Sequence, residues 1–236
     1  AEEISFLKGK GIFSDGFLDY LQNFQFCCDV WAVPEGTPVF PKEPILTVRG
    51  PIVQAAIIET MVLLCINHQS LVATKANRIV RAAQGRDVME FGARRAHGTA
   101  AAVYGARAAY IGGCAGTSCT LSDQLFGVPA MGTMAHSWVQ MFDSEYEAFC
   151  AYARKYPNNC SLLVDTYNVI KSGVPAAIKV FKEMKPKKMG IRIDSGDIAY
   201  LTKKARQMLD EVGLSDCAIT VSNSLDEYII RDVILE

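Results

Sequence analysis

A surplus of basic residues is missing from this chain: 24 Lys and Arg stand against 25 Asp and Glu, a net charge of -1 over 236 residues. That balance leaves no electrostatic footprint for nucleic acid or an anionic membrane surface, and no acidic excess for a solvating tail. A phosphorylated ligand would have to be held by a few local cations. Cysteine pairs at metal or redox spacing are also missing. The eight cysteines (27, 28, 65, 114, 119, 150, 160 and 217) form no CxxC and sit mostly in apolar runs. They read as reduced core residues of a cytoplasmic protein. Histidine is scarce, and the three present (His68, His97, His136) are spread too widely to argue for zinc. No signal peptide opens the chain, because Lys8 and Lys10 follow Glu2 and Glu3 instead of leading an apolar core. The most apolar stretch, 52–66, is interrupted by Gln54 and Glu59 and is too short to span a bilayer. The chain starts without methionine and stops inside an apolar run, which reads as a fragment of a longer protein.

The residues that are present change pattern near position 86. Before it, 24–33 and 37–48 read as strands separated by the turn signal Pro34-Glu35-Gly36, with prolines 38, 41 and 44 roughening the second. Gly50-Pro51 opens a helix to about His68 that is apolar nearly all round and so predicts burial. A second helix follows over about 71–83 and stops at Gly85.

From Arg86 onward short apolar strands (88–91, 115–119, 130–134, 161–164, 189–193, 218–221) alternate with helices (99–110, 122–126, 145–156, 175–184, 198–212, 225–235). Ser144-x-x-Glu147 and Ser224-x-x-Glu227 read as capping boxes. Six βα units imply a parallel sheet with right-handed crossovers. A dinucleotide-binding sheet would show a glycine fingerprint after its first strand, and Phe91-Gly92-Ala93-Arg94-Arg95 puts arginines there instead. The pattern therefore favours an α/β barrel, whose functional groups lie at the C-terminal ends of the strands.

Those ends collect nearly every polar group of the βα units. Arg94, Arg95 and Arg192 offer cationic forks for phosphate or carboxylate oxygens, or salt bridges to neighbouring helices. Asp194-Ser195-Gly196-Asp197 offers a hydroxyl, flexible backbone and helix-start N–H groups to a phosphate, while its carboxylates point to sugar hydroxyls or a shared Mg2+. Ser195 and Asp197 also fit plain helix caps. His136, beside Thr133 and Ser137, fits either packing or acid–base and nucleophilic work. Gly112-Gly113-x-x-Gly116 reads as a tight turn and 185–188 as a solvated loop.

Four motifs, Glu90-Phe91-Gly92-x-Arg94-Arg95-Ala96, Gly132-Thr133-x-Ala135-His136-Ser137, Leu163-Val164-Asp165-Thr166-Tyr167 and Arg192-Ile193-Asp194-Ser195-Gly196-Asp197, resemble nicotinate phosphoribosyltransferase over essentially the whole chain. The resemblance implies an incomplete (β/α) barrel of the type II phosphoribosyltransferase kind at 69–236, truncated at its C-terminus. Part of an N-terminal α+β domain at 1–68 would precede it. It implies transfer of phosphoribosyl from phosphoribosyl pyrophosphate to nicotinate in NAD salvage, with ATP as co-substrate and Mg2+ as cofactor. By the same resemblance His136 would be the phosphorylated histidine, and Thr133 and Arg192 would contact nicotinate. Arg94, Arg95, Ser137, Ser195 and Gly196 would serve substrate phosphate and sugar groups. Asp165 and Asp194 would hold ribose hydroxyls or Mg2+. A homodimer is expected by analogy of fold. The competing readings are a nicotinamide phosphoribosyltransferase and a non-catalytic phosphosugar-binding barrel.

Overall fold

A computed structural model of the chain describes residues 2–236. They fall into two compact units, one running to His68 and the other from Gln69 to Glu236.

The first unit holds helices α1 (Glu2–Gly9) and α2 (Asp15–Gln22), strands β1 (Asp29–Ala32) and β2 (Leu46–Arg49), and the start of α3 (Ile52–Ala82). Ser14 caps α2 by accepting the Phe17 N–H at 3.3 Å. β1 and β2 pair antiparallel, with Val30 opposite Val48. The strand expected over 37–48 survives only at its end, since prolines 38, 41 and 44 constrain the backbone and remove N–H donors. The Pro34 turn forms, with Thr37 N–H reaching the Pro34 carbonyl at 3.2 Å and Gly36 at φ 80°. Gln54 is buried, accepting the Cys27 N–H at 2.8 Å and donating to the Gln25 carbonyl at 2.9 Å. A polar residue in an apolar helix is thereby satisfied, which is the condition for burying it.

Two expectations about α3 are overturned. It is one helix of 31 residues, because Gln69-Ser70 carries neither the glycine nor the proline that would stop it. It is also mostly exposed: Ile52, Met61, Leu63 and Leu64 stand in the open, and within 52–68 only Gln54 is buried. An apolar composition buries a helix only where partner surface exists, and here most of the nearly all-apolar surface stays exposed. By length and composition alone the helix is long enough to cross a membrane, so the argument from a short apolar run does not hold.

The second unit alternates strands and helices. β3 (Met89–Glu90) pairs parallel with β4 (Gly116–Thr117), and Thr117 bridges Ala130. β5 (Cys160–Leu163), β6 (Met189–Ile193) and β7 (Ala218–Val221) form a three-stranded parallel sheet in the order β5-β6-β7. The helices are α4 (Thr99–Ile111), α5 (Thr120–Phe126), α6 (His136–Val139), α7 (Glu145–Lys155), α8 (Val174–Met184), α9 (Ile198–Glu211) and α10 (Glu227–Leu235). The strand expected over 130–134 is reduced to its first residue, Ala130. Met131 N–H still reaches the Thr117 carbonyl at 2.8 Å. No second strand among the described residues pairs with Gly132 and Thr133, so the ladder stops there.

Parity organises the three-stranded sheet. Leu162, Val164, Ile191 and Ile193 are buried in one core with Val180 and Phe181 of α8 and Ala205 and Leu209 of α9. Each of these side chains except Ala205 contributes about 1.5–3 kcal/mol on burial. Period-2 alternation sends residues 163, 165, 190, 192, 194, 220 and 222 to the opposite face. The glycines at the expected 112–116 turn serve close packing: a Cβ on Gly112 would meet the Ala73 carbonyl at 2.6 Å, and one on Gly116 the Pro129 carbonyl at 2.4 Å. Of the two capping boxes, Ser144 accepts the Glu147 N–H at 3.2 Å as expected. The second is replaced. Asp226 caps α10, accepting from Tyr228 and Ile229, while Ser224 sits in the left-handed region and Glu227 pairs with Lys75 at 2.5 Å. An ionised carboxylate taking two N–H groups outcompetes a hydroxyl.

Candidate active site

Register alone puts Asp165, Asp194 and Ser222 in one row across the ends of β5, β6 and β7, since Leu163 pairs with Arg192 and Arg192 with Thr220. Three hydrogen bonds carry the ladder past the strand ends and make the row rigid. Val164 N–H donates to the Arg192 carbonyl (3.0 Å), Ser222 N–H to the Ile193 carbonyl (3.1 Å), and Asp194 N–H to Asp165 Oδ2 (2.9 Å). Asp165 Oδ2 also accepts the Ser195 hydroxyl at 2.6 Å. Its other oxygen, Oδ1, is buried with no hydrogen-bond partner among the described residues.

Arg192 rises from β6 into this row. Its Nε donates to Ser222 Oγ at 2.8 Å, Nη1 to Thr133 Oγ1 at 2.8 Å and Nη2 to Asp194 Oδ1 at 2.6 Å. The Ser222 hydroxyl in turn donates to Asp194 Oδ1. The guanidinium carbon lies 5.5 Å from the centre of the Phe91 ring. Burial alone would raise the Asp194 carboxyl. The Ser222 hydrogen bond, the charge and hydrogen bond of Arg192, and His136 together hold it below the usual carboxylate range.

His136 begins α6 and leans over the same row. Its Nε2 is 3.6 Å from Asp194 Oδ2 and 3.8 Å from Asp165 Oδ1, and its Nδ1 is 3.2 Å from Thr166 Oγ1. The loop that supplies Asp165 and Thr166 is pinned by a π-turn over Val169–Gly173. Asn168 Oδ1 accepts the N–H groups of Ile170 and Lys171, and the Asn168 carbonyl accepts those of Ser172 and Gly173. A Cβ at Gly173 would meet the Val164 carbonyl at 1.9 Å, so only glycine lets the turn sit on the strand end. Glu145, the first residue of α7, is buried beside this turn; burial pushes its carboxyl up, against a hydrogen bond from Ser172.

The structure thus joins Thr133, His136, Asp165, Arg192, Asp194 and Ser195 in one network. Gly196 follows at φ 83°, and Asp197 caps α9 by accepting the Tyr200 N–H at 3.1 Å. Ser137 is exposed, with no hydrogen bond to the network among the described residues. Arg94 and Arg95 lie exposed on a 3-10 turn, Ala93–Arg95, and no ion pair among the described residues holds either. Glu90 instead ties their strand to the next, accepting from Gly92 N–H and from Thr117 Oγ1. Ser222, Thr166 and Phe91 belong to the site although no role attached to them in the sequence. Parity from Arg192 to Ser222 across adjacent strands was the readable signal.

The geometry has counterparts among known proteins. The family described as nicotinate phosphoribosyltransferase N-terminal domain matches residues 1–67, and the nicotinate phosphoribosyltransferase family itself matches residues 87–228. The chain is 48% identical over 228 residues to nicotinate phosphoribosyltransferase pncB2 of Mycobacterium tuberculosis, covering 96% of this chain and 49% of that protein. It is 44% identical over 233 residues to the nicotinate phosphoribosyltransferase of Bacillus subtilis, covering 98% of this chain and 47% of that one. The crystal structure of human nicotinic acid phosphoribosyltransferase aligns with a TM-score of 0.86 at 28% identity, over 98% of this chain and 58% of that one. The chain spans about half the length of the curated relatives it matches. With both family profiles matching in order and an α/β fold shared with the human enzyme, the chain belongs to the nicotinate phosphoribosyltransferase family.

Proposed function

We propose that this chain carries the phosphoribosyl-transfer site of a nicotinate phosphoribosyltransferase, forming nicotinate mononucleotide and pyrophosphate for NAD salvage. The observation that carries the reading is the convergence of Thr133 and His136, from the segment after Ala130, with Asp165, Arg192 and Asp194, from the ends of β5 and β6, into one polar network. Family membership supports the same reaction. The second unit is read as part of a type II phosphoribosyltransferase (β/α) barrel, and the first as part of an N-terminal α+β domain.

Arg192 has five N–H donors, of which three are engaged. One on each terminal nitrogen remains for the nicotinate carboxylate, with Phe91 offering an aromatic face beside it. The pyridine nitrogen then attacks the anomeric carbon, and the bonding pair to oxygen leaves with pyrophosphate. Asp165 Oδ1 and Asp194 Oδ2 are the carboxylate oxygens nearest His136 Nε2, and their charge suits ribose hydroxyls and the cationic character of the ring.

Among the described residues no group of three His, Cys, Asp or Glu could hold a metal alone. The fit is to a Mg2+ held by these two carboxylates and completed by substrate oxygens, where it would neutralise charge on the departing pyrophosphate. The exposed Arg94 and Arg95 are free to meet phosphate oxygens. Two carboxylates lie near His136 Nε2. Nδ1 is left, beside the Thr166 hydroxyl, as the nitrogen that would accept a phosphoryl group from ATP. A cytoplasmic homodimer without membrane or nucleic-acid partners completes the proposal; the exposed apolar side chains of α3 support the dimer.

The test is His136→Ala in the protein at its full natural length. Basal transfer from phosphoribosyl pyrophosphate to nicotinate persists and its stimulation by ATP disappears. Retained stimulation would contradict the assignment.

A further inference from the structure

We propose that Ser222 is the positioning residue that sets the direction of Arg192, and through it the preference for a pyridine carboxylate over a pyridine carboxamide. The inference rests on the reading above, in which Arg192 receives the nicotinate carboxylate.

A guanidinium has two edges that can each take a planar acceptor, Nε with Nη2 and Nη1 with Nη2. In this site the Nε–Nη2 edge is filled by a pair of atoms that are hydrogen-bonded to each other. Ser222 Oγ takes Nε at 2.8 Å, Asp194 Oδ1 takes Nη2 at 2.6 Å, and the Ser222 hydroxyl donates to that same Asp194 oxygen. Ser222 is therefore acceptor and donor at once, closing a ring of Arg192, Ser222 and Asp194. Its backbone cannot drift, because its N–H continues the β6–β7 ladder to the Ile193 carbonyl at 3.1 Å. Thr133 touches only Nη1 and cannot by itself fix rotation about the guanidinium axis.

Ser222 also answers an electrostatic problem. Asp194 already presents a negative charge to Arg192, and a substrate carboxylate arriving at the same cation would meet it. The Ser222 hydroxyl donates into Asp194 Oδ1, spreading that charge away from the edge left open. Remove the hydroxyl and Nε loses its acceptor. Asp194 is then free to take the arginine in a two-pronged pair, which would turn the remaining donors away from substrate. An uncharged carboxamide depends less on the guanidinium, so it loses less. That asymmetry makes Ser222 a residue for substrate choice as well as for affinity.

The experiment compares wild type, Ser222→Ala, Ser222→Thr and Arg192→Gln in the protein at its full natural length, with nicotinate and nicotinamide as alternative substrates. Ser222→Ala, which removes the hydrogen bonds to both the Arg192 guanidinium and the Asp194 carboxylate, raises the nicotinate KM about tenfold, with kcat changed less than about threefold. The KM for phosphoribosyl pyrophosphate stays put, and the nicotinate-to-nicotinamide ratio of kcat/KM falls. Ser222→Thr, which keeps the hydroxyl, restores the ratio. A packing defect would not separate the two bases or the two substrates in this way. If Ser222→Ala unfolds the protein, Ser222→Cys, which keeps the volume and weakens the hydrogen bonds, is read in its place. Should Arg192→Gln raise the nicotinate KM while the Ser222 variants leave KM and base choice unchanged, the role of Ser222 is overturned and the reading of Arg192 stands. Should Arg192→Gln itself leave nicotinate KM unchanged, the carboxylate reading falls and the inference with it.

Discussion

The two groups of strand ends in the second unit differ in how far their polar atoms already have protein partners. At the ends of β5, β6 and β7 almost every polar atom already has a protein partner: Arg192 has three, Asp165 Oδ2 has two, and Asp194 Oδ1 has two. At the end of β3, Arg94 and Arg95 stand exposed on a short turn with no ion pair among the described residues. A network that is complete before substrate arrives orients its few remaining atoms without reorganising, as stabilisation of a developing charge requires. Exposed arginines are in the opposite position. They contribute little to stability and are available to a ligand that brings its own charge.

The largest expected effect breaks the ordered side. Asp165→Ala strands the Asp194 N–H and the Ser195 hydroxyl and removes one of the two carboxylates at His136. Turnover falls about a hundredfold or more, and stability falls by about 1–3 kcal/mol, read by steady-state kinetics and by urea unfolding. Removing the exposed arginines has a smaller and differently placed effect. Arg94→Ala with Arg95→Ala changes stability by less than about 0.5 kcal/mol per site while raising the KM for phosphoribosyl pyrophosphate about tenfold. Equal effects on stability from the two sides would erase the distinction.

The smallest effect is on the pH dependence of stability. Asp194 is held below its ordinary value of 3.8, so its contribution is full above that value and is lost as pH falls through the folded one. Glu145 is displaced the other way, from 4.5 upward by burial, so its contribution is present at low pH and lost as pH rises through its folded value. Thermal unfolding followed between about pH 3 and about pH 8 separates them. Glu145→Gln removes a loss of stability above 4.5, and Asp194→Asn removes a loss below 3.8.

Much of this contrast was legible in the sequence. The strands at 189–193 and 218–221 were bounded correctly because each is a short apolar run between turn signals, and that fixed Arg192 and Asp194 at a strand end. The same reasoning puts Asp165 at a strand end, while the strand expected before His136 shrinks to Ala130. Their meeting with one another was not legible, because it depends on register between strands far apart in the chain. Phe91 and Ser222 escaped assignment for that reason. Local competition hid the rest. Asp226 displaced Ser224 as a cap, and the π-turn at Val169–Gly173 depends on a close approach to Val164 that no local pattern announces. Exposure of α3 was missed because an apolar composition predicts burial only where enough partner surface exists to provide it.

The most direct test of the account is pyrophosphate release from phosphoribosyl pyrophosphate by the protein at its full natural length. It is measured with nicotinate, with nicotinamide and with neither base, in wild type and Arg192→Gln. The account predicts stoichiometric release with nicotinate, little with nicotinamide, and loss of the nicotinate preference in the variant. Equal release with both bases in the wild type, or a preference for nicotinate that survives without Arg192, would contradict it.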